Sequence, residues 1–166
     1  MKIAIVSDSH DNVPNIEKFL NWISANSVKL IIHCGDLAAP SMLSKLFAKK
    51  FTGPIHLIYG NVADREALEK MSNELKNVTL HGDQGKITID GQKIAFCHRP
   101  DESKVLAESG KYNIVFYGHS HQPWIEKMNN TELVNPGTLG GLFQKATFAI
   151  YDTKTKNIEL KVLDKI

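Results

Sequence analysis

The sequence predicts a layered α/β protein of one domain, a mixed sheet or two packed sheets covered by helices. Three observations predict it. Apolar runs of strand length alternate with segments of helical period through the first half of the chain. The second half carries mostly short strands and a tight-turn dipeptide, Asp90-Gly91. No repeat, low-complexity tract or linker divides residues 1–166, in which Gly and Pro sit singly between periodic segments.

The elements follow in order. Lys2–Val6 has the length and apolar character of a buried strand. Asn12 then offers a helix cap, and Pro14 suits the first turn of a helix running to about Ala25. Within that helix Ile16, Phe19, Leu20 and Ile23 take the i, i+3, i+4, i+7 spacing of a core-facing stripe. A strand at Leu30–His33, a helix from Pro40 to Lys49, a strand at Ile55–Tyr59 and a helix from about Asp64 to Asn73 continue the β-α-β-α alternation. Lys86–Ile89 and Gln92–Cys97 flank the Asp90-Gly91 turn as a hairpin. Strands are expected at Asn113–Tyr117, Trp124–Met128, Glu132–Val134, Ala146–Tyr151 and Ile158–Leu163, with one helix, Glu102–Ser109, among them.

Composition narrows the function. The chain is 42% hydrophobic and 23% charged, ordinary values for a domain that buries roughly two thirds of its unfolded surface, so it folds without disulfides or structural metals and a bound metal points to function. Twenty Lys plus Arg against 18 Asp plus Glu leave a net charge of +2, and the densest basic segments are Lys49–Lys50 and Lys154-Thr155-Lys156. No dedicated nucleic-acid surface is expected from such a balance. Apolar stretches such as Ile114–Tyr117 fall far short of the roughly 20 residues of a bilayer span, so no membrane association is expected. The amino terminus turns acidic at Asp8, too early for a secretory signal, which makes the cytoplasm the expected compartment and Cys34 and Cys97 buried thiols.

Five of the strands stop at a residue able to bind a metal. They end at Asp8-Ser9-His10, Gly35-Asp36, Gly60-Asn61, His98 and Gly118-His119-Ser120-His121. In open α/β sheets, side chains from distant loops converge just beyond the carboxyl ends of strands. Taken singly, Gly35-Asp36 or Gly60-Asn61 is ordinary turn chemistry and His98 an ordinary strand-end histidine. Jointly they are a site. Asp8 with His10, and His119 with His121, are two apart, so on extended backbone each pair shares a face and forms a two-pronged clamp. His33, His56 and His81 have no such partners and are read as structural or supporting.

Two carboxylates, four imidazoles and one carboxamide suit Mn, Fe, Co, Ni or Zn better than Mg or Ca, which prefer oxygen-only shells. Seven ligands exceed the needs of one ion and fit two sharing a bridging carboxylate. Two metals about 3.5–4 Å apart are a recurrent arrangement for displacement at phosphorus by an activated hydroxide. Two divalent ions, two carboxylates and one hydroxide leave a single net positive charge to receive a phosphate ester. No G-x-S-x-G elbow supports a serine nucleophile, while Cys34, two residues before Asp36, has a role the sequence leaves open.

In this order, D-x-H, GD, GN, H and GHxH, with Asn135-Pro136-Gly137-Thr138 following, the chain resembles the calcineurin-like metallophosphoesterase superfamily, and within it the small bacterial and archaeal phosphodiesterases of the YfcE and Vps29-like type. The resemblance implies a four-layer α/β/β/α sandwich with two mixed central sheets. It implies that Asp8, His10 and His121 bind a first metal, that Asp36 bridges, and that Asn61, His98 and His119 bind a second. The amide of Asn61 is also available to a phosphate oxygen. The implied cofactors are two divalent transition ions, Mn foremost, with Ni, Co, Fe or Zn as alternatives. The implied substrate is a small phosphoester, most readily a diester.

Two departures from the family pattern bear on substrate. Val62 stands where many relatives place a histidine after the asparagine, and Asp64 falls one residue later than the usual acid. General-acid help is worth about 10²–10⁴-fold, so alkyl monoesters are expected to be poor substrates. Where relatives continue H-G-H, this chain reads His98-Arg99-Pro100, and Arg99, with Arg65, is a candidate for contacting the substrate phosphate. The alternatives are a Vps29-like protein-binding scaffold, which retention of all seven ligands disfavours, and a phosphomonoesterase or nucleotidase. A homo-oligomer is compatible with the sequence, which carries no mark of an interface.

Overall fold

The computed structural model describes all 166 residues and contains two mixed sheets packed face to face between helices. One sheet comprises β1 (Lys2–Val6), β2 (Leu30–His33), β3 (Ile55–Leu57), β4 (Val78–Leu80), β10 (Thr147–Asp152) and β11 (Ile158–Val162), in the order β11-β10-β1-β2-β3-β4. From β1 to β4 the pairing is parallel, as the intervening helices require, and β10 and β11 add antiparallel to the edge of β1. The other sheet runs β5 (Gln84–Ile89), β6 (Gln92–Cys97), β7 (Ile114–Phe116), β9 (Thr131–Asn135), β8 (Trp124–Met128). Here β6, β7 and β9 are mutually parallel and flanked by antiparallel partners.

Strand alternation creates three separate cores. In β1, Ile3 and Ile5 face the second sheet, where they meet Ile94, Phe96, Ile114 and Phe116; Ala4 and Val6 face the helices. In β6, Ile94 and Phe96 point inward while Ala95 and Cys97 point out toward Leu106 and Ala107 of α5 (Pro100–Glu108). On the far side α1 (Val13–Ala25) covers the first sheet with the expected stripe, Ile16, Phe19, Leu20 and Ile23, all buried. The four-layer α/β/β/α sandwich implied by the family resemblance is therefore the observed architecture. Cys34 and Cys97 are free thiols in different cores, so no disulfide forms.

Local signals acted as their chemistry predicts. Asn12 caps α1 by accepting the Asn15 N–H, and Asp64 caps α4 (Arg65–Glu74) by accepting the Ala67 N–H. Asp90 and Gly91 both have positive φ, the requirement of the two-residue hairpin turn that joins β5 to β6. Two features differ from expectation. The helix expected from Pro40 to Lys49 is broken into α2 (Pro40–Met42), a π-helical turn (Leu43–Phe47) and α3 (Ala48–Lys50), a register slip that places Leu43, Leu46 and Phe47 in the core. The edge strand β4 goes beyond expectation, because the alternation of Val78-Thr79-Leu80 spans only three residues, too few to be read as a strand. No helix is long and apolar enough to cross a membrane.

Candidate metal centre

The carboxyl ends of β1, β2, β3, β6 and β7 lie on one rim across the two sheets, and the loops that leave them carry all seven expected residues. Asp8, Asp36 and His98 are buried, with His10 and His121 partly so. The side chains fall into two linked groups. In one, the Nε2 atoms of His10 and His121 are 3.3 Å apart, and Asp8 Oδ1 lies 3.2 Å from His121 Nε2 and 3.9 Å from His10 Nε2. In the other, Asn61 Oδ1 lies 2.9 Å from His98 Nε2 and 3.0 Å from His119 Nδ1. Asp36 joins them, with Oδ2 3.8 Å from His10 Nε2 and 3.4 Å from His98 Nε2.

The hydrogen bonds around these groups define which ring atoms face inward. A carbonyl oxygen only accepts, so His98 Nδ1, 2.8 Å from the Cys34 carbonyl, and His121 Nδ1, 3.2 Å from the Leu142 carbonyl, must carry protons. Each ring then turns a bare Nε2 lone pair toward a carboxylate or carboxamide oxygen. Acceptors facing acceptors at about 3 Å repel unless a proton or a cation sits among them. Asp8 Oδ1 states the same requirement: it is fully buried and has no hydrogen-bond partner, while Oδ2 accepts the His119 N–H at 3.0 Å. Borderline transition ions are the cations this mixed nitrogen and oxygen donor set fits.

The electrostatics of these residues agree. Burial opposes charge on Asp36, yet the His98 ring and the Val62 and Asn61 N–H groups outweigh it and hold the carboxyl down to about 2. Burial also opposes charge on His98, but Asp36, the Cys34 carbonyl and Asp8 together raise its pKa. The open question of Cys34 is answered by its backbone: its carbonyl orients His98, while burial pushes its thiol far up and keeps it inert.

Asp8 and His10 do converge on one point, with His121, but the clamp expectation needs correction for its backbone and for the pair His119 and His121. Asp8, His10, His119 and His121 all have positive φ, so neither pair sits on extended backbone. Left-handed turns, uncommon for such residues and frequent at functional sites, aim them. Consequently His119 and His121 diverge, one toward Asn61 and the other toward Asp8 and His10. Gly60 is required where it stands: with φ +80, a side chain there would collide with the Asp36 carboxylate. Gly118 admits Ser7 Oγ so closely that a Cβ would overlap it.

Arg65 and Arg99 both line a cleft of about 210 Å³ shared with Asn61 and His98. Arg65 is held by a bidentate pair with Asp83 (3.2 and 2.5 Å) and stacks over Tyr59, while Arg99 pairs with Asp101 at 3.4 Å. His33, expected to be structural or supporting, faces Ser9 Oγ at 3.0 Å, and His56 and His81, 2.8 Å apart, face each other away from the centre. Sequence reasoning missed Asn135 and Thr138 as positioning residues. The Asn135 amide donates to the Gly118 carbonyl and Ser120 hydroxyl, and the Thr138 hydroxyl to the Asp8 carbonyl, so the Asn-Pro-Gly-Thr turn ties two ligand loops together.

Comparison with known proteins places this geometry. Residues 1–156 match the calcineurin-like phosphoesterase superfamily domain. The phosphodiesterase MJ0936 of Methanocaldococcus jannaschii is 30% identical over 99% of this chain and 100% of its own. A solved archaeal phosphodiesterase superposes with a TM-score of 0.89 at 30% identity, covering 98% of this chain and 99% of that one. Zinc-complexed Vps29 of Entamoeba histolytica shares the fold, with a TM-score of 0.67 at 14% identity over 98% and 99% of the two chains.

Proposed function

We propose that this chain, which belongs to the calcineurin-like phosphoesterase superfamily, hydrolyses phosphodiesters at a dinuclear metal centre. The observation that carries the reading is the convergence of ligand-type atoms on two points: Asp8 Oδ1 with the Nε2 atoms of His10 and His121, and Asn61 Oδ1 with His98 Nε2 and His119 Nδ1, joined through Asp36. The first group would hold one ion and the second another, with Asp36 shared. Manganese is the ion of first choice, with Ni, Co, Fe or Zn suited to the same donors. Two such ions, when bound, would supply hydroxide near neutral pH and neutralise charge on the phosphoryl oxygens.

The chain's own residues do the rest. The Cys34 and Leu142 carbonyls hold His98 and His121 in the tautomers that present Nε2. The Asn61 and Val62 N–H groups restrain Asp36 Oδ1 and leave Oδ2 free. Arg65 and Arg99 stand where a bound phosphoester would extend along the cleft. Neither residue at the family's usual acid positions is placed to protonate a leaving group: Val62 is apolar, and Asp64 is committed to capping α4. Turnover therefore favours leaving groups that depart as stable anions.

The test is hydrolysis of an aryl phosphodiester and its matching monoester by chelator-stripped protein refilled in turn with Mn, Ni, Co, Zn and Mg. A transition ion is expected to restore diester turnover in the wild type and not in Asp36→Asn. Metal binding without turnover by any ion would overturn the proposal.

A further inference from the structure

We propose that Phe143 determines specificity, its ring beside His121 forming a stacking surface for a flat aromatic substituent, aryl or nucleobase, on the phosphoester. The inference rests on the functional reading above and adds to it the chemistry of the ester group.

Phe143 is 93% exposed, far more than any other large apolar side chain in the chain, and its φ is +62, a region that bulky residues avoid. Solvent exposure and backbone strain thus coincide in one residue, and that residue borders the centre. Its ring stacks on His121, with centroids 6.2 Å apart and planes 24° from parallel. The exposure leaves ring surface open for a ligand. Two more of the chain's exposed apolar side chains, Val62 (41%) and Leu142 (42%), belong to the same rim, one following Asn61 and the other bonded to His121 through its carbonyl.

The loop is fixed from below. Asn12 Nδ2 donates to the Gly140 carbonyl at 2.8 Å, Asn15 Nδ2 to the Leu139 carbonyl at 3.0 Å, and the Gly140 N–H to the Asp8 carbonyl at 2.9 Å. The base of the Phe143 loop is therefore built on the same backbone that presents Asp8. A phosphoester held at the centre sends its ester group outward past this rim, where an aromatic ring gains offset stacking on Phe143 and an alkyl group gains little.

The experiment uses metal-loaded protein and three diesters that share the p-nitrophenolate leaving group: thymidine 5′-(p-nitrophenyl), phenyl p-nitrophenyl and methyl p-nitrophenyl phosphate. Relative to the methyl ester, Phe143→Ala is expected to lower kcat/KM for the aromatic diesters by about tenfold. Phe143→Tyr retains the wild-type ratios, and the aromatic diester that loses more identifies aryl or nucleobase as the preferred group. An equal fall on all three esters, together with equal binding of phenylphosphonate and methylphosphonate, would mean that Phe143 only holds His121 and stacks no ring, the shared p-nitrophenyl included, and unchanged ratios with a dimer converted to monomer would assign it to an interface. Either overturns the proposal. A calorimetric arm needs no turnover: phenylphosphonate should bind more tightly than methylphosphonate to the wild type and equally to Phe143→Ala. Phosphonate preference without turnover of any diester would refute the hydrolase reading and leave the role of Phe143 standing, whereas no preference in either arm overturns it.

Discussion

Replacing Asp8 with asparagine should raise the stability of the metal-free protein and lower that of the metal-loaded one. Asp8 is fully buried, its Oδ1 lacks a hydrogen-bond partner, and the bare Nε2 of His121 faces it at 3.2 Å. A buried unsatisfied acceptor costs about 1–3 kcal/mol. In Asp8→Asn the amide oxygen keeps the bond from the His119 N–H, and the amide nitrogen becomes a donor to His121 Nε2. Asparagine also tolerates the left-handed φ of +51 at this position, so no backbone penalty offsets the gain. For a domain of this size each kcal/mol shifts Tm by roughly 2–4 °C, so the variant in chelator should melt about 2–12 °C above wild type. An ion at a hundred times its Kd stabilises the wild type by about 2.7 kcal/mol, and the variant, short of one anionic ligand, gains much less. Thermal melts of both proteins with chelator and with manganese check this. The order of the two Tm values should reverse. A variant less stable than wild type in chelator, or one with an undiminished metal shift, would refute the account of the buried acceptor.

Further outcomes follow from single groups. Burial lowers the pKa of His33 to about 3, so the folded state keeps it neutral while the unfolded chain protonates near 6.5. Its contribution is complete above pH 6.5 and is lost as pH falls toward 3, at about 1.4 kcal/mol per pH unit; denaturation of His33→Asn should show a flatter acid limb, and a parallel one would contradict a buried neutral imidazole. Gly60→Ala combines a φ of +80 with a clash on the Asp36 carboxylate, and should cost about 1–3 kcal/mol and weaken metal affinity measured by calorimetry. Unaltered affinity would mean that Asp36 is free to move. Arg65→Ala should raise KM for the diester with little change in Tm, because its pair with Asp83 is exposed; an unchanged KM would place the substrate elsewhere.

Much of this was legible in one sequence. The bounds of β1, β2, β6 and β8 follow from apolar runs and turn residues, and the seven candidate ligands follow from where the runs of β1, β2, β3, β6 and β7 stop. What local pattern lacks is the relation between sheets. Spacing alone does not tell His119 from His121, which only the family resemblance divides, since their divergence depends on Asn61 from one sheet and on Asp8 and His10 from the far end of the chain. The left-handed conformations that aim them are equally invisible in residue spacing. The π-helical turn and β4 are tertiary outcomes, the first set by how Leu43, Leu46 and Phe47 meet the core and the second by the free edge of β3. Phe143 carries no periodic signal, because its significance is its exposure beside one particular ring.

The most direct test of the two-ion centre measures bound metal and diester turnover in the same titration of stripped protein. Turnover should rise with the second ion and level off at two per chain, and Asp36→Asn, which removes the shared carboxylate, should never reach that plateau. Full turnover at one ion per chain, or turnover without metal, would contradict a dinuclear mechanism.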